Sequence, residues 1–331
     1  MPVGIVGDRG SGKSVFVSLL ANAATDYTNK TKGEDFRTFV SPAFSQKTGS
    51  IVSSLKMGSW PSATLKGTLS QYKFAFGYRK MSSITKRLGQ KWFNTINFSI
   101  FDIAGEDVAL IKQIFNKLQR GSNMSLIDEM PDNLKMILDC NILVFLVDGS
   151  KITTEIRSKR YEEMMDYDTV MATLIALVTS YKANSRSEKT TKLYPIFVIT
   201  KTDAIAPNIL EAVGIPRNFS VKPMHGFLSN IGGDRKQRQE YAASLFEKFY
   251  PFTLAQIRGA RLLNVDFDDA KYYFSQLKTE LSEDGLPVPT LTKHGIVADL
   301  DYSEDEYMGF IDHLGEIAKK SPDKEETLEI T

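Results

Sequence analysis

Short, unbroken apolar runs recur along this chain at Val3–Val6, Ile142–Val147 and Ile196–Ile199. Each is too short for a helix, and as continuous runs they predict strands buried on both faces. Tyr72, Phe74, Phe76 and Tyr78 alternate with other residues and predict an edge strand. A further run over Ile96–Ile103, with Trp92 upstream, predicts its antiparallel partner across a lysine-rich hairpin at Arg79–Lys91, and Tyr272–Phe274 predicts a last strand. Between these, apolar residues recur every three or four positions: Ile111, Ile114, Phe115 and Leu118; Leu134, Ile137 and Leu138; Tyr241, Leu245, Phe246 and Phe249; Phe252, Leu254 and Ile257 beyond Pro251. Glu304–Lys320 carries Tyr307, Phe310, Ile311, Leu314 and Ile317 on one helical face. The alternation of strands and helices predicts an α/β fold, a six-stranded, mostly parallel sheet with helices on both faces and helical insertions.

The first strand runs into Gly7-Asp8-Arg9-Gly10-Ser11-Gly12-Lys13-Ser14, and a helix-prone segment follows from Val15. Strand, glycine-rich loop and helix in that order form a phosphate-binding loop: backbone NH groups turn inward, and the helix aims its positive end at the anion. Asp8, Arg9, Gly10, Ser11, Gly12, Lys13, Ser14 and Val15 are the expected phosphate-binding set. Lys13 supplies a point charge to the terminal phosphates, and the Ser14 hydroxyl a ligand to Mg2+. A nucleoside di- or triphosphate is the expected ligand.

Three later segments bear on which nucleotide. Asp102-Ile103-Ala104-Gly105 closes a strand, where a carboxylate can hold the Mg2+ water shell and a glycine NH can meet a γ-phosphate. Thr200-Lys201-Thr202-Asp203 follows the strand at Ile196–Ile199, on the edge where open α/β sheets bind ligands. There Asp203 can accept from the ring NH and exocyclic amine of guanine while the Lys201 stem lies across the base. Adenine offers the wrong pattern at that edge. Ser275, Gln276 and Leu277 form the turn after the last strand and could bring backbone NH groups to the guanine oxygen.

Loop, Asp-x-x-Gly and Thr-Lys-x-Asp in this order resemble the Ras-like (TRAFAC) small GTPase superfamily, with the strongest likeness to archaeal relatives of Arf and Gα. The resemblance implies a P-loop NTPase fold binding GTP and GDP with Mg2+, and slow GTP hydrolysis to GDP and phosphate. It assigns Lys13, Thr64, Gly105 and Glu106 to catalysis, and Ser14, Thr64 and Asp102 to the metal. The base-reading set is Thr200, Lys201, Asp203, Ser275, Gln276 and Leu277. Thr64, with Thr68 as the other candidate, stands for the switch threonine, at the end of Gly58-Ser59-Trp60-Pro61-Ser62-Ala63. Two positions depart from the family. Glu106 replaces the glutamine that orients water in many relatives, and Arg9 replaces a small residue; both leave open whether either is catalytic. The function expected is a molecular switch of the signalling or trafficking type. A non-hydrolysing GTP/GDP scaffold and a P-loop ATPase remain as alternatives.

Since these motifs span Gly7 to Ser275, the expected organisation is a single domain over residues 1–320. Its insertions fall at about 27–69 (a polar, extended first switch), 107–139 (an enlarged second switch) and 207–263, and an acidic, disordered tail follows at 321–331. With 41 Lys+Arg against 40 Asp+Glu, the net charge of +1 argues against a general nucleic-acid binder. The basic stretches at 182–192 and 234–238 are expected to be solvated loops. The single cysteine, Cys140, reads as a buried thiol in a reducing cytoplasm, and the three histidines carry no metal spacing. A signal peptide, lipid anchor and membrane span are not expected, which leaves peripheral membrane contact open. Effector, exchange factor, activating protein and oligomeric state are not legible.

Overall fold

A computed structural model describes residues 2–30, 36–40, 42–62, 69–79, 92–103, 110–111, 113, 130, 132–184, 192–216, 219, 234–260, 265–294, 297–320 and 326–329. The strands are β1 (Pro2–Gly7), β2 (Phe36–Val40), β3 (Leu69–Arg79), β4 (Trp92–Ile103), β5 (Ile142–Asp148), β6 (Lys192–Thr200), β7 (Asp266–Phe267), β8 (Lys271–Ser275), β9 (Thr279–Leu281), β10 (Pro287–Pro289), β11 (Leu291–His294), β12 (Val297–Leu300) and β13 (Glu326–Glu329). The helices are α1 (Lys13–Lys30), α2 (Pro42–Lys56), α3 (Asp132–Leu138), α4 (Lys159–Asn184), α5 (Pro207–Glu211), α6 (Arg235–Phe249), α7 (Pro251–Ala260) and α8 (Glu304–Lys320).

The main sheet runs β2-β3-β4-β1-β5-β6, with β7 and β8 both on β6 and β13 on β4. β1 pairs parallel with β4 and β5, and β6 pairs parallel with β5 and β8. β3 pairs antiparallel with β4, Phe74 opposite Phe98, as the alternation predicted; the turn between them lies outside the described residues. The protein is therefore α/β with a mostly parallel sheet flanked by helices. The sheet has nine strands rather than six, and the six expected ones are β1, β3, β4, β5, β6 and β8. The additions are β2, short β7 and β13, which pair through backbone groups that a six-strand pattern leaves at its margins.

Both faces of the central strands are buried. Along β5, Leu143, Phe145 and Val147 join a cluster under α3, α4, α6 and α7, while Ile142, Val144 and Leu146 join a second cluster under α1, α2 and α8. This two-residue alternation into two cores is why the runs read as uninterrupted. α8 places Glu304, Asp305 and Glu306 in its first turn, where acidic groups favour the helix dipole, and buries Tyr307, Phe310, Ile311, Leu314 and Ile317.

Several expectations are revised. The segment at 27–69, read as a polar extended switch, contains β2 and α2, whose Val52 and Leu55 are buried in the second core. Its many serines and threonines concealed one helical stripe. Residues 234–238 are not a solvated loop: Asp234 caps α6 through the Gln237 NH at 2.7 Å, and Arg238, 4% exposed, is ion-paired with Glu306 and Asp305. Leu245, Phe246, Phe249 and Tyr250 pack into the core instead of forming a free face. Within the expected tail, Glu326–Glu329 lies antiparallel on the Trp92–Thr95 stretch of β4, beyond the reach of β1.

Candidate functional site

Because β1, β5, β6 and β8 are parallel, their carboxyl ends, Gly7, Asp148, Thr200 and Ser275, fall on one edge of the sheet. The loop after β1 is shaped by Gly10 and Gly12 at φ +78° and +82°, a left-handed conformation that other residues rarely adopt. The Ser11 NH donates to the Asp8 carbonyl at 3.1 Å, and the Phe16 NH to the Gly12 carbonyl at 2.8 Å as α1 begins. The Lys13 ammonium, mostly buried, folds over this turn and donates to the carbonyls of Gly7 at 2.7 Å and Asp8 at 3.1 Å.

Two ion pairs fix the surroundings. Lys151 reaches Asp8 at 2.5 Å and Glu163 at 3.1 Å. Burial works to lower the Lys151 pKa, but the two carboxylates outweigh it and hold the amine above its usual value. Lys201, the single non-glycine described residue with positive φ, reaches buried Asp148 at 2.6 Å. The other Asp148 oxygen accepts from the Ser150 NH at 3.0 Å and hydroxyl at 2.6 Å. Asp203 stays open to the cavity, yet the protein mass around it raises its carboxyl above the ordinary range, partly offset by the Thr279 hydroxyl and Lys201.

A cavity of about 580 Å³ joins these parts, a size suited to a small ligand. At one end are Arg9, Gly10, Gly12, Lys13, Ser14 and Val15; at the other are Thr200, Lys201, Asp203, Ser275 and Leu277. The structure thus brings most sequence-predicted site residues together. Asp8 and Ser11 stand behind the wall, one held by Lys151 and the other buried. Gln276 also stands outside the cavity wall, since its NH donates to the Ser303 hydroxyl at 3.2 Å and its side chain meets Thr202. The Ser275 hydroxyl is paired with that of Tyr307 at 2.6 Å. Asp102 lies at the end of β4 in register with Ile5 of β1. Thr64, Thr68, Gly105 and Glu106 lie outside the described residues.

Ser14 at the cavity wall and Asp102 on the same strand edge are hard oxygen donors, the type that suits Mg2+. Among the described residues, no group of three or more His, Cys, Asp or Glu is arranged to hold a metal by itself. Any divalent ion here would therefore need oxygens from a ligand. Among the described residues, too, no helix is long and apolar enough to cross a membrane.

Sequence reasoning missed Asp148 and Lys151, and it missed the wall formed by Trp60, Pro61, Ser62, Thr279 and Pro287. Asp148 had a signal, an acid closing a buried apolar run; Lys151 had none, since its partner is 143 positions away. No protein-family model matches this chain, and no curated protein matches it in sequence.

Proposed function

We propose that the protein is a GTP-binding molecular switch of the P-loop NTPase fold, a Ras-like GTPase that hydrolyses GTP slowly to GDP and phosphate. The observation that carries this reading is that the glycine loop with Lys13 and the Thr200–Asp203 segment, remote in sequence, face one cavity. A single ligand there must carry an anionic end and a base.

In this reading the loop NH groups and Lys13 bind the phosphates. For that, the Lys13 ammonium turns from the Gly7 and Asp8 carbonyls toward a stronger acceptor. Bound Mg2+, resting on Ser14 and Asp102, neutralises phosphate charge. Asp203 accepts from the two guanine donors, and Asp148 holds the Lys201 stem beside the base. The Asp8–Lys151 pair keeps the loop's own carboxylate away from the phosphates, where it would repel them.

Competition of GDP and ADP against a fluorescent guanine nucleotide, with and without Mg2+, tests this. GDP displacing at far lower concentration than ADP is expected; equal displacement would favour a P-loop ATPase, and no binding would remove the nucleotide reading. Identical hydrogen exchange over residues 27–69 and 107–139 with GTP and GDP would favour a scaffold without switching.

A further inference from the structure

We infer that Trp60 and the β9–β10 hairpin form a latch over the base end of the cavity, and that this latch sets how slowly a bound nucleotide leaves. The inference deepens the nucleotide-binding reading and rests on it.

Three contacts join the end of α2 to the segment that follows the base-reading strand. The Trp60 indole NH donates to the Pro287 carbonyl at 2.8 Å, across 227 positions. Gly58, at φ +78°, lets the chain pass so close to β10 that an added Cβ would stand 3.2 Å from Val288. Lys56 is paired with Asp299 at 2.9 Å.

The hairpin then continues to the base site. Pro287 is opposite Leu281 and Pro289 opposite Thr279, and Thr279 hydrogen-bonds the Asp203 carboxylate. A connected series of contacts therefore runs from Trp60 through β10 and β9 to Asp203. Trp60, Pro61, Ser62, Thr279 and Pro287 all line the cavity. Pro61 holds Trp60 in extended backbone, which restricts the ring to this wall.

Trp60 is 45% exposed, although a tryptophan with no role in a site is usually better covered. A half-open ring, held only by its NH and placed at the cavity rim, is suited to moving aside when ligand passes. The residues that follow lead to Thr64, the candidate switch threonine. Opening the latch would thus loosen the base wall and the entry to the first switch together.

The test is release of a fluorescent GDP analogue from the full chain into excess unlabelled GDP, for the unaltered protein, Trp60→Phe and Trp60→Ala. Loss of one exposed hydrogen bond in Trp60→Phe should speed release about fivefold with association little changed. Trp60→Ala, which also removes the ring, should speed it further. Lys56→Ala, outside the cavity wall, should speed release modestly, so the latch is tested without altering a wall residue. In a Trp92→Phe background, Trp60 is the one remaining tryptophan, and its emission should change when GDP binds. Release rates within twofold of the unaltered protein in all three variants, or unchanged emission, overturn the latch alone. Failure of the unaltered protein to bind overturns the nucleotide reading, and the latch with it.

Discussion

The Thr200 hydroxyl lies 2.9 Å from the Ser11 carbonyl and 3.1 Å from that of Val147, so one side chain at the end of β6 ties the glycine loop to β5. Thr200→Val keeps the shape and removes the donor, leaving buried carbonyls without it. A stability loss of about 1–2 kcal/mol is expected, together with weaker GDP binding. Thr200→Ser should recover most of both. Denaturant unfolding and nucleotide titration of the two variants check this, and equal behaviour of Val and Ser would remove the tie.

Lys13→Ala should weaken GDP and GTP by roughly one to two orders of magnitude while lowering stability little. Lys13 spends its charge on two loop carbonyls that can turn to other donors. Calorimetric titration separates affinity from folding. Undiminished binding would place the phosphates elsewhere.

Asp203→Asn replaces an acceptor with a group that also donates. Guanine nucleotide affinity should fall at least about 100-fold, and xanthine nucleotides should become the preferred ligands. Competition assays with GDP and XDP measure the reversal. An unchanged preference would remove Asp203 from the base site.

Arg238 and Glu306 form a buried pair between α6 and α8, and Glu306 also accepts from the Phe274 NH of β8. Arg238→Met strands the carboxylate and should destabilise the fold by about 3–5 kcal/mol. Adding Glu306→Leu should recover much of that loss. Chemical denaturation of the single and double variants gives the comparison.

Asp305 is partly buried, which alone would raise its pKa, but Arg235 and Arg238 hold it below the ordinary 3.8. A carboxylate held low contributes stability above the unfolded value, and that contribution is lost as pH falls through the folded value. Asp305→Asn should therefore melt below the unaltered protein at pH 7, and the gap should close as pH falls below 3.8. Thermal melts across that range test the sign.

The apolar runs made β1, β5 and β6 legible because both faces of those strands are buried, and the loop's glycines announced their own backbone. α8 was legible to its ends because its buried stripe is wide and its first turn acidic. α2 was not, since Val52 and Leu55 are sparse among serines. Arg238 misled because a basic stretch gives no sign of an acidic partner 68 positions away. The hairpin wall escaped for a similar reason: Trp60 meets Pro287 only after the chain has folded.

β1 has neighbours on both edges and a core against each face. The turn that leaves it is rooted in the stiffest place the molecule offers. A ligand seated on that turn meets an anvil, so whatever yields on arrival or departure must be the outlying hairpin and the approach to β3, with the anionic end as the fixed point of reference.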